Sequence, residues 1–183
     1  MHSTEKMIAH FEKRTNKHIA LFEKYHSLFR EAYKGYEKSI GHDASKLDHN
    51  GVERTPYILI SWDYYCKSKK IPFELSESER ELTNQTTLYH IITNPHHPEY
   101  HDPNFNSTML NREDRDEVPE KMVDARTMPL ENIAEMVCDW MAMSEEKGTE
   151  PYEWANKNIN IRWKFTKKQV QFIAEILSEV WGK

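Results

Sequence analysis

A chain of 183 residues with 38% hydrophobic content and a net charge of −5 is long enough to bury a core as one domain, 1–183. The negative balance provides no basic stripe for a nucleic-acid backbone, so duplex binding is not expected, and no apolar run approaches the roughly 20 residues of a membrane span. Two cysteines, Cys66 and Cys138, form no CxxC pair or disulfide framework, and the N-terminus lacks a signal-peptide core, which together predict a cytoplasmic protein.

Five Trp, nine Tyr and seven Phe argue for an ordered fold, and only five Gly argue against a large sheet. Ile8, Phe11, Thr15, His18, Phe22, Tyr25 and Phe29 recur in steps of three and four. They predict a helix over about 5–34 with His18 in the middle of its core-facing stripe. His10 and His26 lie off the stripe's centre and are expected in solvent. Gly35 and Gly41 then break the helix around Ile40-Gly41-His42-Asp43-Ala44-Ser45-Lys46. An adjacent His and Asp can grip one divalent transition ion together, through an imidazole nitrogen and a carboxylate oxygen. Lys46, about one turn on, can address an anion held by that ion. The plain alternative for this stretch is a capped helix start with solvated polar groups.

Thr55-Pro56 predicts the next helix start, with Tyr57, Ile60 and Tyr64 on one side and an end near Lys69. Ser76-x-x-Glu79 has the form of a capping box and opens a helix over about 77–93. Leu82, Leu88, Tyr89, Ile91 and Ile92 are its expected buried face, with His90 near its end. The segment 94–118 reads as a long polar loop containing Asn94-Pro95-His96-His97-Pro98-Glu99 and His101-Asp102, and a loop of that length inside a compact domain is more often functional than idle. Pro129 starts a further helix that Gly148 stops, and it carries Glu135 and Asp139 one turn apart beside Met136 and Met143. Pro151 opens a short helix bearing Trp154, and Thr166-x-x-Gln169 caps an amphipathic last helix. The fold class expected is all-α, a compact bundle of about six to eight helices. Its amphipathic faces would also permit a homo-oligomer.

The ordered set His18, His42-Asp43, His90, His96 or His97, and Asp139 resembles the HD-domain superfamily of all-helical, metal-dependent phosphohydrolases and oxygenases. The resemblance covers about residues 15–145. It implies His18, His42, Asp43 and Asp139 as metal ligands, with His90 and His97 added as in members that bind two metals. His90 and His97 stand closer in sequence than the corresponding pair usually does, which leaves His96, or even His101, as an alternative ligand. Lys46 stands where single-metal nucleotidases of the superfamily commonly carry Glu, and so looks more like the two-metal members. The Gly-Tyr-Pro extension of the cyclic-dinucleotide phosphodiesterases is absent. The segments His42–Lys46, Asn94–Glu99 and Glu135–Trp140 also resemble a family of uncharacterised bacterial and phage proteins.

The resemblance implies a metal-dependent phosphohydrolase acting on a nucleotide or other small phosphate ester. The cofactor would be one or two divalent ions (Mn, Fe, Zn, Co or Ni), two ions lying about 3.5–4 Å apart with Asp43 as the bridge. Lys46, Asp43 and Glu135 are the expected catalytic residues, with Glu135 either orienting a ligating His or binding metal itself. Arg126, Arg112 and Arg115 are candidates to clamp phosphate. Two alternatives use the same residues: a di-iron oxygenase, and a non-catalytic helical metal-binding module.

Overall fold

The structure is a computed structural model that describes residues 4–37, 39, 41–107 and 111–182. Ile40, at the head of the His42-Asp43 stretch, and residues 108–110 of the long loop lie outside the described residues.

Helix α1 (Glu5–Ala32) begins at Thr4, whose hydroxyl accepts from the Met7 N–H. Its buried residues include Phe11, Thr15, His18, Phe22, Tyr25 and Phe29, the stripe read from the sequence. His26 is a correction. It is buried at 4% exposure, with its ring 5.4 Å from Phe22 and 6.1 Å from Phe29. The physical reason is that α1 is covered by several helices, so its buried face is wider than one stripe. His10 is half-buried against Trp62 and Tyr65.

After Gly35 the chain turns into the single-turn helix α2 (Ala44–Leu47) and then α3 (Arg54–Lys69). The α3 N-cap is Glu53 rather than Thr55, and Pro56 lies within the first turn. Because α3 packs between α1 and α4, it buries Ile58, Leu59, Ile60, Asp63 and Cys66, whereas Tyr64 is exposed. Helix α4 (Glu77–Thr93) has the expected bounds and a complete Ser76–Glu79 capping box. Its rotation differs from expectation. Thr83, Thr86, Thr87, His90 and Ile91 face inward, while Leu82, Tyr89 and Ile92 are exposed.

The 94–118 segment contains two 3₁₀ turns, Pro98–His101 and Arg112–Asp116. The second is pinned by Arg112, whose guanidinium pairs with Asp63 of α3 and whose N–H donates to Asn84 of α4. Helix α5 (Leu130–Lys147) ends at Gly148, which adopts φ +66° as a helix-terminating residue in the left-handed region must. Helix α6 (Pro151–Asn158) and helix α7 (Lys167–Val180) complete the seven α-helices among the described residues. Strands β1 (Val123–Asp124) and β2 (Trp163–Lys164) form a parallel two-residue pair, too short to show any alternation in sequence.

The larger apolar cluster surrounds α5, with Phe22, Phe29, Met136, Val137, Met141 and Ile173 among its members. A smaller one, with Met7, Phe11, Ile58, Leu59 and Leu75, fills the space between α1 and α3. Between them the helices present polar side chains to one another. No helix among the described residues is long and apolar enough to cross a membrane.

Candidate metal centre

Five chain segments deliver the polar side chains that meet inside the bundle, the fifth being the turn after α4 with His96 and His97. α1 supplies His18, α4 supplies His90 and α5 supplies Glu135 and Asp139, while the turn before α2 carries His42 and Asp43. Gly41 at φ +80° and Asp43 at φ +56° both occupy the left-handed region, and for a non-glycine residue that conformation costs about 1–2 kcal/mol. A cost of this kind persists where the surroundings fix the backbone, and here it turns two adjacent side chains into one buried space.

Asp43 is the hub. Its Oδ2 lies 3.7 Å from His18 Nε2 and 2.6 Å from Lys46 Nζ, and its Oδ1 lies 3.3 Å from His90 Nε2. Asp139 Oδ1 stands 3.0 Å from His18 Nε2 and 3.7 Å from His42 Nε2. Three groups have donor atoms within 4.8 Å of one another: His18–His42–Asp43, His42–His96–Asp139 and His90–His96–His97. His96 and His97 therefore both belong to the cluster, because the backbone after Asn94 turns both rings toward His90 (centroids 5.8 and 5.0 Å). His101 turns away, with Nε2 2.8 Å from the Pro95 carbonyl oxygen.

The imidazoles are held from behind. Phe22 stacks on the His42 ring at 3.8 Å and 11°. Glu135 Oε1 is 3.0 Å from His42 Nδ1 and 3.4 Å from His96 Nδ1, so one carboxylate orients two rings. Glu53, only 2% exposed, lies 2.9 Å from His90 Nδ1 and so aims Nε2 at Asp43. Tyr57 sets its ring edge-on to His90 at 5.6 Å and lies beneath the Lys46 ammonium at 4.7 Å. Neither Glu53 nor Tyr57 was anticipated from sequence. Glu53 looks like an ordinary acid ahead of a helix, and Tyr57 reads as part of an apolar face.

Charge is concentrated here. Burial would raise Asp43, but the Lys46 ammonium, with His90 and His42, holds it well below the usual carboxylate range. Burial likewise opposes ionisation of Asp139, and the neighbouring His18 and His42 pull it well below normal. Glu135 is drawn down to about 2 by His42 and His96 against the effect of burial. Burial disfavours a charge on His42, yet Asp139, Glu135 and Asp43 outweigh it and lift its pKa to about 10. Burial and the neighbouring rings push His97 well below 6.5, and burial also lowers His96, so both present neutral nitrogens.

The residues fit a cation. His42 Nε2, Asp43 Oδ1 and His97 Nε2 are buried without a hydrogen-bond partner, while His18 turns its Nε2 toward Asp43 and Asp139 and its Nδ1 toward Glu146 Oε2 at 3.8 Å. Unpartnered buried polar atoms are costly, and so many in one space call for a ligand that accepts lone pairs. The grouping of buried His and Asp could hold a metal ion.

The arginines separate. Arg112 is committed to Asp63, and Arg126 is an exposed residue clasping Asp124 at 2.6 Å, outside the cluster. Arg115 is an exposed residue paired with Asp116 at 3.0 Å.

Residues 7–179 match the family model described as Family of unknown function (DUF5662), and the chain belongs to that family. No curated protein and no solved structure matches the chain.

Proposed function

We propose that the chain is a metal-dependent phosphohydrolase acting on a nucleotide or another small phosphate ester. One observation carries the reading: imidazoles and carboxylates converge with buried donor atoms left unpartnered, beside the ammonium of Lys46. The resemblance of His18, His42-Asp43 and Asp139 to the HD-domain pattern supplies the reaction type. The nitrogen-rich donor set suits Mn, Fe, Zn, Co or Ni. Asp43 presents one oxygen toward His18 and the other toward His90, an arrangement that suits one or two ions.

A divalent ion held by these residues would supply Lewis-acid polarisation of a phosphoryl oxygen and a water acidified toward neutrality. The chain's own groups do the rest. Lys46, anchored by Asp43 and resting on Tyr57, donates to phosphoryl oxygens and offsets the charge that grows on them. Glu135 accepts from the Nδ1–H of His42 and keeps the Nε2 lone pair directed inward. Glu53 does the same for His90. The buried, unpaired Cys66 and Cys138 suit a reducing compartment, and we place the activity in the cytoplasm.

Elemental analysis of protein purified without chelators, followed by phosphate-release assays on a broad nucleotide and phosphoester panel, tests the proposal. Bound metal with release of phosphate or pyrophosphate is the expected result. A metal-loaded protein that releases neither sinks it. Bound iron with substrate-dependent oxygen uptake would move the same ligand set to the di-iron oxygenase reading. Unfolding on metal removal, without turnover, would make the metal structural.

A further inference from the structure

His18 lies between two carboxylates of a single helix. Asp139 and Glu146 stand two turns apart on α5, and both reach α1 where the two helices pack. Asp139 Oδ1 is 3.0 Å from His18 Nε2, and Glu146 Oε2 is 3.8 Å from His18 Nδ1. Arg14, one turn before His18 on α1, donates its Nε–H to the other Glu146 oxygen, Oε1, at 3.1 Å. The Glu146 carboxylate is thus held by one oxygen. Its buried Oε2 and the buried His18 Nδ1 face each other, and neither makes a hydrogen bond with any described group.

An imidazole that offers Nε2 to a metal carries its proton on Nδ1, and that N–H needs an acceptor. For two neighbouring rings the acceptor is in place, Glu135 at 3.0 Å from His42 Nδ1 and Glu53 at 2.9 Å from His90 Nδ1. For His18 the carboxylate on that side is Glu146. The separation exceeds an ordinary N–H···O bond by about 1 Å, a distance that the rotatable glutamate side chain can close. A plain tie between α1 and α5 would explain the contact with Arg14, whose side chain is 40% exposed, but would leave the two buried atoms unaccounted for.

We propose that Glu146 is the positioning residue of His18. Its Oε2 accepts from the His18 Nδ1–H and keeps Nε2 directed toward Asp43 and Asp139, while Arg14 fixes the carboxylate from the outside. The inference rests on the reading of His18 as a metal ligand and is independent of the reaction. It gives the centre a third histidine–carboxylate pair and makes α5 the source of two of the three supporting carboxylates.

The test is the zinc affinity of the full-length protein, measured by competition with a chromophoric chelator. It is joined to nitrogen-15 correlation spectra of the zinc-loaded, histidine-labelled protein, which show which ring nitrogen carries the proton. In the parent, His18 should be protonated at Nδ1 and slow to exchange. Glu146→Ala should weaken zinc binding by about 10–100-fold and make that proton exchange fast. Glu146→Gln keeps an acceptor oxygen in the same place and should hold affinity within about threefold of the parent. Arg14→Ala cuts the tie between the helices but leaves the acceptor, so it should cost less affinity than Glu146→Ala, with circular dichroism checking each fold. Parental affinity in Glu146→Ala, or a His18 proton on Nε2, overturns the assignment alone. So does a Gln variant as weak as Ala together with an equal loss in Arg14→Ala, which would leave Glu146 as an interhelical ion pair. A parent that binds no zinc overturns it along with the ligand reading of His18. A protein that follows the expected pattern yet releases no phosphate fails the hydrolase reading while the pairing stands.

Discussion

At the level of single residues, Asp43 has to do several things at once. It touches Lys46, His18 and His90 through two oxygens and adopts a backbone conformation that few non-glycine residues accept. Asp43→Ala should abolish bound metal while leaving helical content nearly unchanged, read by elemental analysis and far-ultraviolet circular dichroism on the same sample. On the proposed function Lys46→Ala should keep the metal and lose turnover, since that reading gives its ammonium the substrate's charge to offset; loss of metal would demote it to a structural partner. Glu53→Gln keeps the shape but weakens the hold on the His90 ring, and disturbing such a supporting carboxylate lowers metal affinity by about 10–100-fold.

The His42 proton gives a prediction with a sign. Its pKa is lifted from 6.5 to about 10, so at neutral pH the metal-free protein carries an imidazolium between its carboxylates. That interaction stabilises the metal-free fold fully below 6.5 and is lost as pH rises through about 10. Ligation needs the neutral ring, so metal binding at pH 7 should expel about one proton from this site, and affinity should climb as pH rises. Titrations in buffers of different ionisation enthalpy count that proton. A pH-independent affinity between 6 and 9 would show that His42 is not a ligand.

Among the elements, the helix boundaries were largely legible and the rotations were not. Ser76, Thr166, Gly148 and Pro151 mark starts and stops through local chemistry, because a cap needs only its own turn. The rotation of α4 is set elsewhere. Turning His90 toward Asp43 and Glu53 brings Thr83, Thr86 and Thr87 inward and leaves Leu82, Tyr89 and Ile92 outside, so counting apolar residues selects the wrong face. The site was legible in part for the same reason. His18, His42, Asp43 and Asp139 stand out as residue types in order, but Glu53 becomes visible only when α3 lies against α4. Gly41 belongs to this scale as well. At φ +80°, with a Cβ built there only 3.3 Å from the Ala44 Cβ, Gly41→Ala would strain the turn that aims both His42 and Asp43. It should cost about 1–2 kcal/mol in urea unfolding and weaken metal binding, while Ser76→Ala, far from the ligands, should cost about 1 kcal/mol and leave metal affinity alone.

For the molecule as a whole, the centre joins helices that otherwise bury two separate apolar clusters. α1 and α5 already pack through Phe22, Val137 and Met141, so the fold does not wait for a metal to bring His18 and Asp139 together. The segment bearing His96 and His97 is held mainly by 3₁₀ turns and by polar contacts such as the Trp163–Glu99 hydrogen bond. A metal drawing ligands from both parts adds its binding energy to the native state alone, about 2.7 kcal/mol at a hundredfold excess over the dissociation constant. In a domain of this size that corresponds to a rise in Tm of about 5–10 °C on loading. Chelation should reverse it while the circular dichroism at low temperature keeps its helical shape, and hydrogen exchange should quicken first in residues 94–107. Collapse of the helical signal at low temperature on chelation would instead mean that the two clusters cannot hold the bundle together, and that the metal is part of the fold rather than a guest in it.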